Sequence, residues 1–316
     1  YYFMKQYFFF LSLLASFTIY SQKNYTKEFL ILSDNDLYTS TYRDRYYSNG
    51  LFLSYRFLNK NQPKKIVKKI SNFQVGHMLF TPYKSIIISK KNHDRPFAGY
   101  LFGQYGVQRF YKNQHFLSTG IQIGVIGPSS KAKELQNFIH SIYGFHEAVG
   151  WKYQIREAFA FNINADYLHF LVADASQHFD ISSFNNAKLG TIFTSISTGI
   201  YARIGFKPLQ KMFNSVAFHA NLSQKNTQKK ESFIYIKPMI NYVVYDATIQ
   251  GSFLNDSSPI TFDVKPFVFN LDIGYQYAGK RFNYGYTFHY HTKKLKNKAI
   301  KNSNNYGSIS IGYRFN

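Results

Sequence analysis

Tyr306-Gly-Ser-Ile-Ser-Ile-Gly-Tyr-Arg-Phe315 alternates strictly: Ile309, Ile311, Tyr313 and Phe315 share one face, Ser308, Ser310, Gly312 and Arg314 the other. A period of two is the signature of a β-strand with one apolar and one polar side. Gly50-Leu-Phe-Leu-Ser-Tyr-Arg-Phe57 repeats the pattern near the other end of the chain. Working outward from these two, alternating segments separated by polar breaks give twelve candidate strands, near 28–35, 50–58, 70–81, 98–111, 115–126, 152–169, 187–206, 213–222, 231–246, 264–277, 280–292 and 305–315.

The composition says what such strands face. Among 316 residues 20% are aromatic, yet mean hydropathy is only −0.30, and no internal stretch approaches the ~18 consecutive apolar residues of a spanning helix. A transmembrane β-barrel accounts for both, because lipid-facing apolar residues alternate with polar lumen residues and the average cancels. The fold expected is therefore all-β, a twelve-stranded antiparallel transmembrane β-barrel, with Phe315 placing an aromatic next to the C-terminus as outer-membrane barrels do. Met4-Lys5, the apolar run Phe8 to Ile19 and the exit Thr18 to Ser21 read as a secretory signal peptide over 1–21, leaving 22–316 as one barrel domain. With no cysteine, closure of the sheet rather than disulfides must stabilise the exported chain.

The formal charge of +22 points to an anionic partner, which outside the cell means lipopolysaccharide phosphates in the outer membrane rather than nucleic acid; a Lys-, Asn-, Ile-, Tyr- and Phe-rich composition is also what an AT-rich genome produces without selection. No protein partner is implied. An even strand count puts both termini on the periplasmic side, so the connections 36–49, 82–97 and 127–151 lie at the cell surface. They carry the unusual polar clusters. In the third, Ala132, Leu135, Phe138, Ile139 and Ile142 recur at helical spacing, predicting a short helix that carries Gln136 and His140 four residues apart on one face. The Lys-rich stretches Asn59–Lys69 and Thr292–Asn302 read as solvated turns.

Several chemistries are excluded. There is no Gly-x-Ser-x-Gly elbow, no cysteine nucleophile, and His146-Glu147-Ala148-Val149-Gly150 lacks the second histidine of a zinc-binding His-Glu-x-x-His. What remains is hard oxygen donors with one base. Asp36, Ser48 and a third-loop carboxylate suit Ca²⁺, which polarises an ester carbonyl, while His140 takes a proton from water. Each residue also has an ordinary reading: Asn35-Asp36, Asp44 and Asn49-Gly50 form turns, Tyr46 and Tyr47 suit an interface belt, and Arg95-Pro96 enters a strand.

Asn35-Asp36, Asp44-Arg45-Tyr46-Tyr47-Ser48-Asn49-Gly50, Asp94-Arg95-Pro96-Phe97-Ala98-Gly99, and Gly124-Val125-Ile126-Gly127-Pro128 followed by Gln136, His140, Gly150-Trp151 and Gln154 together resemble the outer-membrane lipid A deacylase family. The resemblance spans about 35–157. It implies a calcium-dependent esterase that removes 3′-linked acyloxyacyl chains from lipid A, with its active site at the extracellular end, between the barrel wall and a loop helix. Asp36 would ligate calcium, Asn35 shape the site, Ser48 take a position often held by threonine, and His140 act as base. The family pattern has a glutamate six residues after that histidine. This chain has His146 there, with Glu147 beside it, so Glu147 substitutes as metal ligand, Glu157 helps, or the metal site is altered. Two other readings stand beside the esterase: a non-enzymatic barrel, pore or surface-binding, and a phospholipase acting on glycerophospholipids.

Overall fold

The computed structural model describes residues 25–39, 46–61, 63–83, 86–144, 146–224 and 230–316. The expected signal peptide and Asp44-Arg45 lie outside them. Twelve strands form one closed antiparallel barrel: β1 (Lys27–Asn35), β2 (Tyr46–Leu58), β3 (Ile66–Thr81), β4 (Ala98–Tyr111), β5 (Phe116–Ile126), β6 (Ala158–Ala173), β7 (Phe179–Gly190), β8 (Phe193–Gly205), β9 (Glu231–Asp246), β10 (Phe267–Ala278), β11 (Phe282–Thr292) and β12 (Ser303–Phe315). Neighbours in sequence are neighbours in the sheet, and β12 closes on β1 from Lys27↔Phe315 to Asn35↔Gly307. Among the described residues two helices, α1 (Ala132–Tyr143) and α2 (Ala247–Gln250), sit in loops at the end away from the termini.

Alternation sorts the side chains as expected. Phe73, Val75, Ile121, Ile123, Ile309 and Ile311 point outward and are 40–55% exposed. A continuous apolar girdle of this kind is stable against lipid and not against water. Inside, polar groups bond across the lumen: Lys237 Nζ meets Asp272 Oδ2 (2.8 Å), His289 sits between Asp272 Oδ1 (2.7 Å) and Ser308 Oγ (2.8 Å), Ser308 donates to Asp34 Oδ1, and the Tyr47 hydroxyl donates to Asp34 Oδ2 (2.7 Å). This chain of bonds crosses from β9 to β2.

The strand count is right but two assignments are not. The segment 187–206 holds the end of β7 and all of β8, so β7 itself goes unrecognised. Residues 213–222 form no strand. They belong to the long connection after β8, which folds back into the barrel at the terminal end. Val216, Ala217, Ala220 and Leu222 pack there against Phe116, Phe184, Tyr201 and Phe233. Its alternation is real, but both faces are buried inside the lumen instead of forming wall.

Charges hold this plug. Arg203 donates through Nε to Asp180 Oδ1 (3.0 Å) and through Nη1 to Ser215 Oγ (2.7 Å), while Glu231 accepts from Val216 N (2.8 Å). Lys68 reaches in from β3 to the Ala220 carbonyl (2.6 Å) and Asn214 Oδ1 (3.0 Å). The Asn59–Lys69 stretch is therefore not merely a solvated turn. Nor is Thr292–Asn302: Leu295 and Ile300 are buried with Tyr46, Ile249 and Val264 as a lid over the opposite mouth.

A plugged barrel should not conduct. In a planar bilayer the wild-type protein is expected to show no steady ion current, and a stable open channel would contradict the plug. Arg203→Met strands two buried carboxylates, which costs about 3–5 kcal/mol; a lower unfolding temperature in a gel-shift melt is the expected result.

Candidate active site on the outer wall

The corner between β1 and β2 is built by short side chains. Asn35 Nδ2 donates to Asn49 Oδ1 across the ladder (2.6 Å), and Asn35 Oδ1 accepts from Leu37 N (2.7 Å), turning the chain into a 3₁₀ turn over Asp36–Thr39. Thr39 Oγ1 closes that turn on the Asp36 carbonyl (2.8 Å). The last register pair is Asn35↔Asn49, so Asp36 and Ser48 come next across the corner, and both are fully buried.

Ser48 is the extra residue of a β-bulge. Opposite β3 the register steps from Tyr47↔Phe80 to Asn49↔Leu79, leaving Ser48 unmatched. Bulges re-aim side chains next to functional sites. Here the bulge sends Tyr47 into the lumen toward Asp34, while Asn49 stays with Asn35. Gly50 makes room: a Cβ there would collide with the Tyr47 hydroxyl. Asn49-Gly50 is thus strand, not turn, and β2 begins at Tyr46.

Tyr46 has φ 64°, a left-handed conformation that costs a non-glycine residue roughly 1–2 kcal/mol. Its surroundings offset this. Arg95 Nη1 donates to the Tyr46 carbonyl (3.0 Å), Nη2 to the Thr248 carbonyl (3.2 Å) and hydroxyl (2.9 Å), and the guanidinium lies 4.7 Å from the Phe80 ring centre. Lys301 N donates to the Tyr46 hydroxyl (2.9 Å). Burial pulls the Arg95 guanidinium down to about 10, which leaves it charged at neutral pH. Arg95 does more than enter a strand: it ties three outer loops together.

The second half of the site is α1, packed against the outside of β3 and β4. Gly99 permits the close approach, since a Cβ there would strike Ala132 and Ser130. Ala132, Gln136 and His140, spaced i, i+4, i+8, form the buried stripe, whereas Phe138 is 62% exposed. Polar Gln136 and His140 therefore face the wall with Ala132, and the apolar spacing that predicts the helix marks its buried face only in part. Gln136 Oε1 accepts from Trp151 Nε1 (2.7 Å), and Trp151 packs on Phe97 (4.9 Å between ring centres) within a cluster of Leu79, Ala132, Leu135 and Ala148.

His140 Nδ1 lies 2.6 Å from the His146 carbonyl. A carbonyl only accepts, so Nδ1 carries the proton and Nε2 is the accepting nitrogen of the neutral ring. Position 146, where the family pattern has glutamate, thus orients the His140 ring through its backbone. Glu147 is exposed, and Glu157 accepts from Ser129 N (3.1 Å) at the foot of the helix. Among the described residues no three His, Asp or Glu side chains come together as a metal site. Oxygen donors are nonetheless present. Ser48 Oγ is buried with no hydrogen-bond partner among the described residues, beside the buried Asp36 carboxylate, a donor set that fits a hard cation such as Ca²⁺.

Among the described residues two further buried polar atoms lack partners on this strip of wall, Thr81 Oγ1 and His77 Nε2, both on the outward face of β3. Each orphan costs about 1–3 kcal/mol, which marks ground prepared for a ligand more than for packing.

A family model described as outer membrane protein LpxR matches residues 8–315. The chain belongs to the LpxR family. Its place is the outer membrane. Among solved structures it is similar to LpxR from Salmonella typhimurium, at 20% identity and TM-score 0.72, covering 91% of this chain and all of that one. The β-domain of the Bordetella autotransporter BrkA is also matched, at 9% identity and TM-score 0.48, over 92% of this chain and 98% of that one. A search of curated proteins finds no match.

Within this LpxR-family barrel, Asn35, Asp36 and Ser48 meet at one corner, His140 faces the wall from the helix packed beside it, and Glu147 stands at the surface. Sequence reasoning gives Asn49 no role beyond a turn and a place in the motif, and passes over His77 and Thr81. Asn49 lies two residues from Leu51 on the outward face, the one signal that it is a strand residue. The protein's single tryptophan reports on the helix anchor. Gln136→Ala leaves the buried Trp151 N–H without an acceptor, costing about 1–3 kcal/mol; a red shift of tryptophan emission is expected, and an unchanged spectrum would show that this bond does not hold α1.

Proposed function

We propose that the protein is a calcium-dependent lipid A deacylase, an ester hydrolase acting in the outer leaflet with water as nucleophile. Family membership supports lipid A modification in the outer membrane. The observation that carries the mechanism is the 2.6 Å bond from His140 Nδ1–H to the His146 carbonyl, because it presents Nε2 as the proton acceptor from the buried side of the helix. Exposed Ile86, Ile88, Phe138 and Val149 on the same two loops offer an apolar surface where acyl chains lie.

His140 Nε2 takes a proton from water as the oxygen adds to the ester carbonyl, then returns it to the departing sugar or acyl oxygen. Asp36 and Ser48 would hold Ca²⁺, which when bound stabilises negative charge on the carbonyl oxygen. Asn35 and Asn49 fix the corner that presents those two oxygens. Arg95 and the strained Tyr46 keep the bulge in place, and the Trp151–Gln136 bond holds the helix at the distance the substrate needs.

Purified protein with lipid A and calcium is expected to release fatty acid, read as a mass loss in the lipid A spectrum, and EDTA should stop it. His140→Ala should lower kcat by about 10²–10⁴-fold. Lipid A of unchanged mass, or equal release from phosphatidylethanolamine, would overturn the assignment.

A further inference from the structure

Between the plug and the outer lid the barrel encloses a cavity of about 480 Å³, on the opposite side of the wall from the candidate active site. Five cationic side chains line it: Arg95, Lys188, Lys293, Lys294 and Lys301. Three acids also line it, and each is already engaged. Asp34 accepts from Tyr47 and Ser308, Asp166 from Asn186 Nδ2 (2.7 Å), and Asp246 caps α2 through Thr248 N (2.9 Å).

The ammonium groups of Lys188 and Lys294 make no hydrogen bond or ion pair among the described residues; Lys188 Nζ merely lies 5.3 Å from the Phe193 ring centre. Lys294 is repelled by Lys188 and by Arg95 across the lumen. Burial first, and then these like charges, pull Lys294 down to about 8, against the opposing pull of Asp246 and Asp272. His291 faces the same cavity, with Nδ1 donating to the Thr292 carbonyl (2.8 Å). Asn304, only 2% exposed, lines the cavity with both its amide nitrogen and its amide oxygen unpartnered among the described residues. Half-buried ammonium groups with no hydrogen-bonding anion, attracted only at longer range by Asp166 and Asp246, and an orphaned buried amide both carry a cost that a bound ligand removes.

We propose that the cavity is a binding site for a small sugar phosphate admitted from the outer mouth. Two unpaired ammoniums and a guanidinium match a phosphate dianion better than a monoanion, and ammonium groups bind phosphate as point charges. Amides such as Gln104, Gln122 and Asn241, with Tyr100 stacked on Phe102, supply the hydrogen-bonding and aromatic surfaces that hydroxylated rings use. The volume lies in the range of small-molecule sites, ~300–1,000 Å³. Exposed Lys301, whose Nζ lies 4.9 Å from the Tyr83 ring centre, marks the entrance, and Lys188 on β7 lies within.

The test is isothermal titration of the full chain in detergent micelles with glucose 6-phosphate, with glucose and inorganic phosphate as separate arms. Saturable binding of the sugar phosphate, tighter than either part, is expected. Lys188→Gln and Lys294→Gln should each weaken it by roughly tenfold or more, as loss of a charge-assisted contact does, while exposed Lys133→Gln and the active-site variant His140→Ala should bind as wild type. Because an anion favours the charged form of Lys294, binding at about pH 8.5 should take up protons. The measured enthalpy should then depend on the buffer's ionisation enthalpy in the wild type and not in Lys294→Gln. A gel-shift assay confirms that each variant is a closed barrel. No saturable heat, inorganic phosphate binding as tightly as the sugar phosphate, or unaltered affinity in both folded lysine variants would overturn the proposal, whatever the outcome with lipid A.

Discussion

Pairing β1 with β12 closes the sheet, and most of the molecule's design follows from that closure. A closed antiparallel ladder satisfies every wall N–H and C=O without water, which is the condition for a sheet to cross a membrane. The wall is then one residue thick and has only two sides. Every strand residue must face lipid or lumen, and any chemistry has to be built on one side or the other, or at a place where the alternation is deliberately broken.

The bulge at Ser48 is such a place. One inserted residue puts Tyr47 on the lumenal side, at the end of the bonded chain that starts at Lys237, and leaves Asn49 outside against Asn35. The inner network and the outer corner are thus joined through two consecutive residues. Arg95 reinforces the junction by gripping the carbonyl of Tyr46. The outer corner gains its rigidity from bonds on the other face of the wall, which is why short side chains such as Asn35 and Ser48 suffice to define it.

How far this was legible in the sequence follows from the same two-sided geometry. Strands such as β12, with Ile309 and Ile311 outside and Ser308 and Ser310 inside, announce themselves. The strand β7 does not: its outward residues include Ser183, Asn185 and Ala187, so the lipid face loses the contrast that period-two reading needs. The plug segment errs the other way, since Val216, Ala220 and Leu222 are apolar for a packed interior that has no lipid side. At the site, Asn35, Asp36, Ser48 and His140 stand out because motifs and order single them out. The bulge, the backbone role of His146 and the unpartnered Thr81 Oγ1 and His77 Nε2 among the described residues depend on register and on long-range packing, neither of which local spacing encodes.

The plug also bears on how the barrel is assembled. Its Asn221 accepts from Arg314 of β12 (3.1 Å) and donates to Asn283 (2.8 Å), which in turn donates to Glu28 of β1 (2.6 Å), while Ser223 bridges to Tyr25. A loop encoded between the eighth and ninth strands therefore latches the first strand to the last. Contacts of such sequence separation form only after long stretches of chain have been ordered, and loop-closure entropy makes them late. Sealing the seam and filling the lumen thus draw on the same bonds, so each stabilises the other in the closed, plugged barrel.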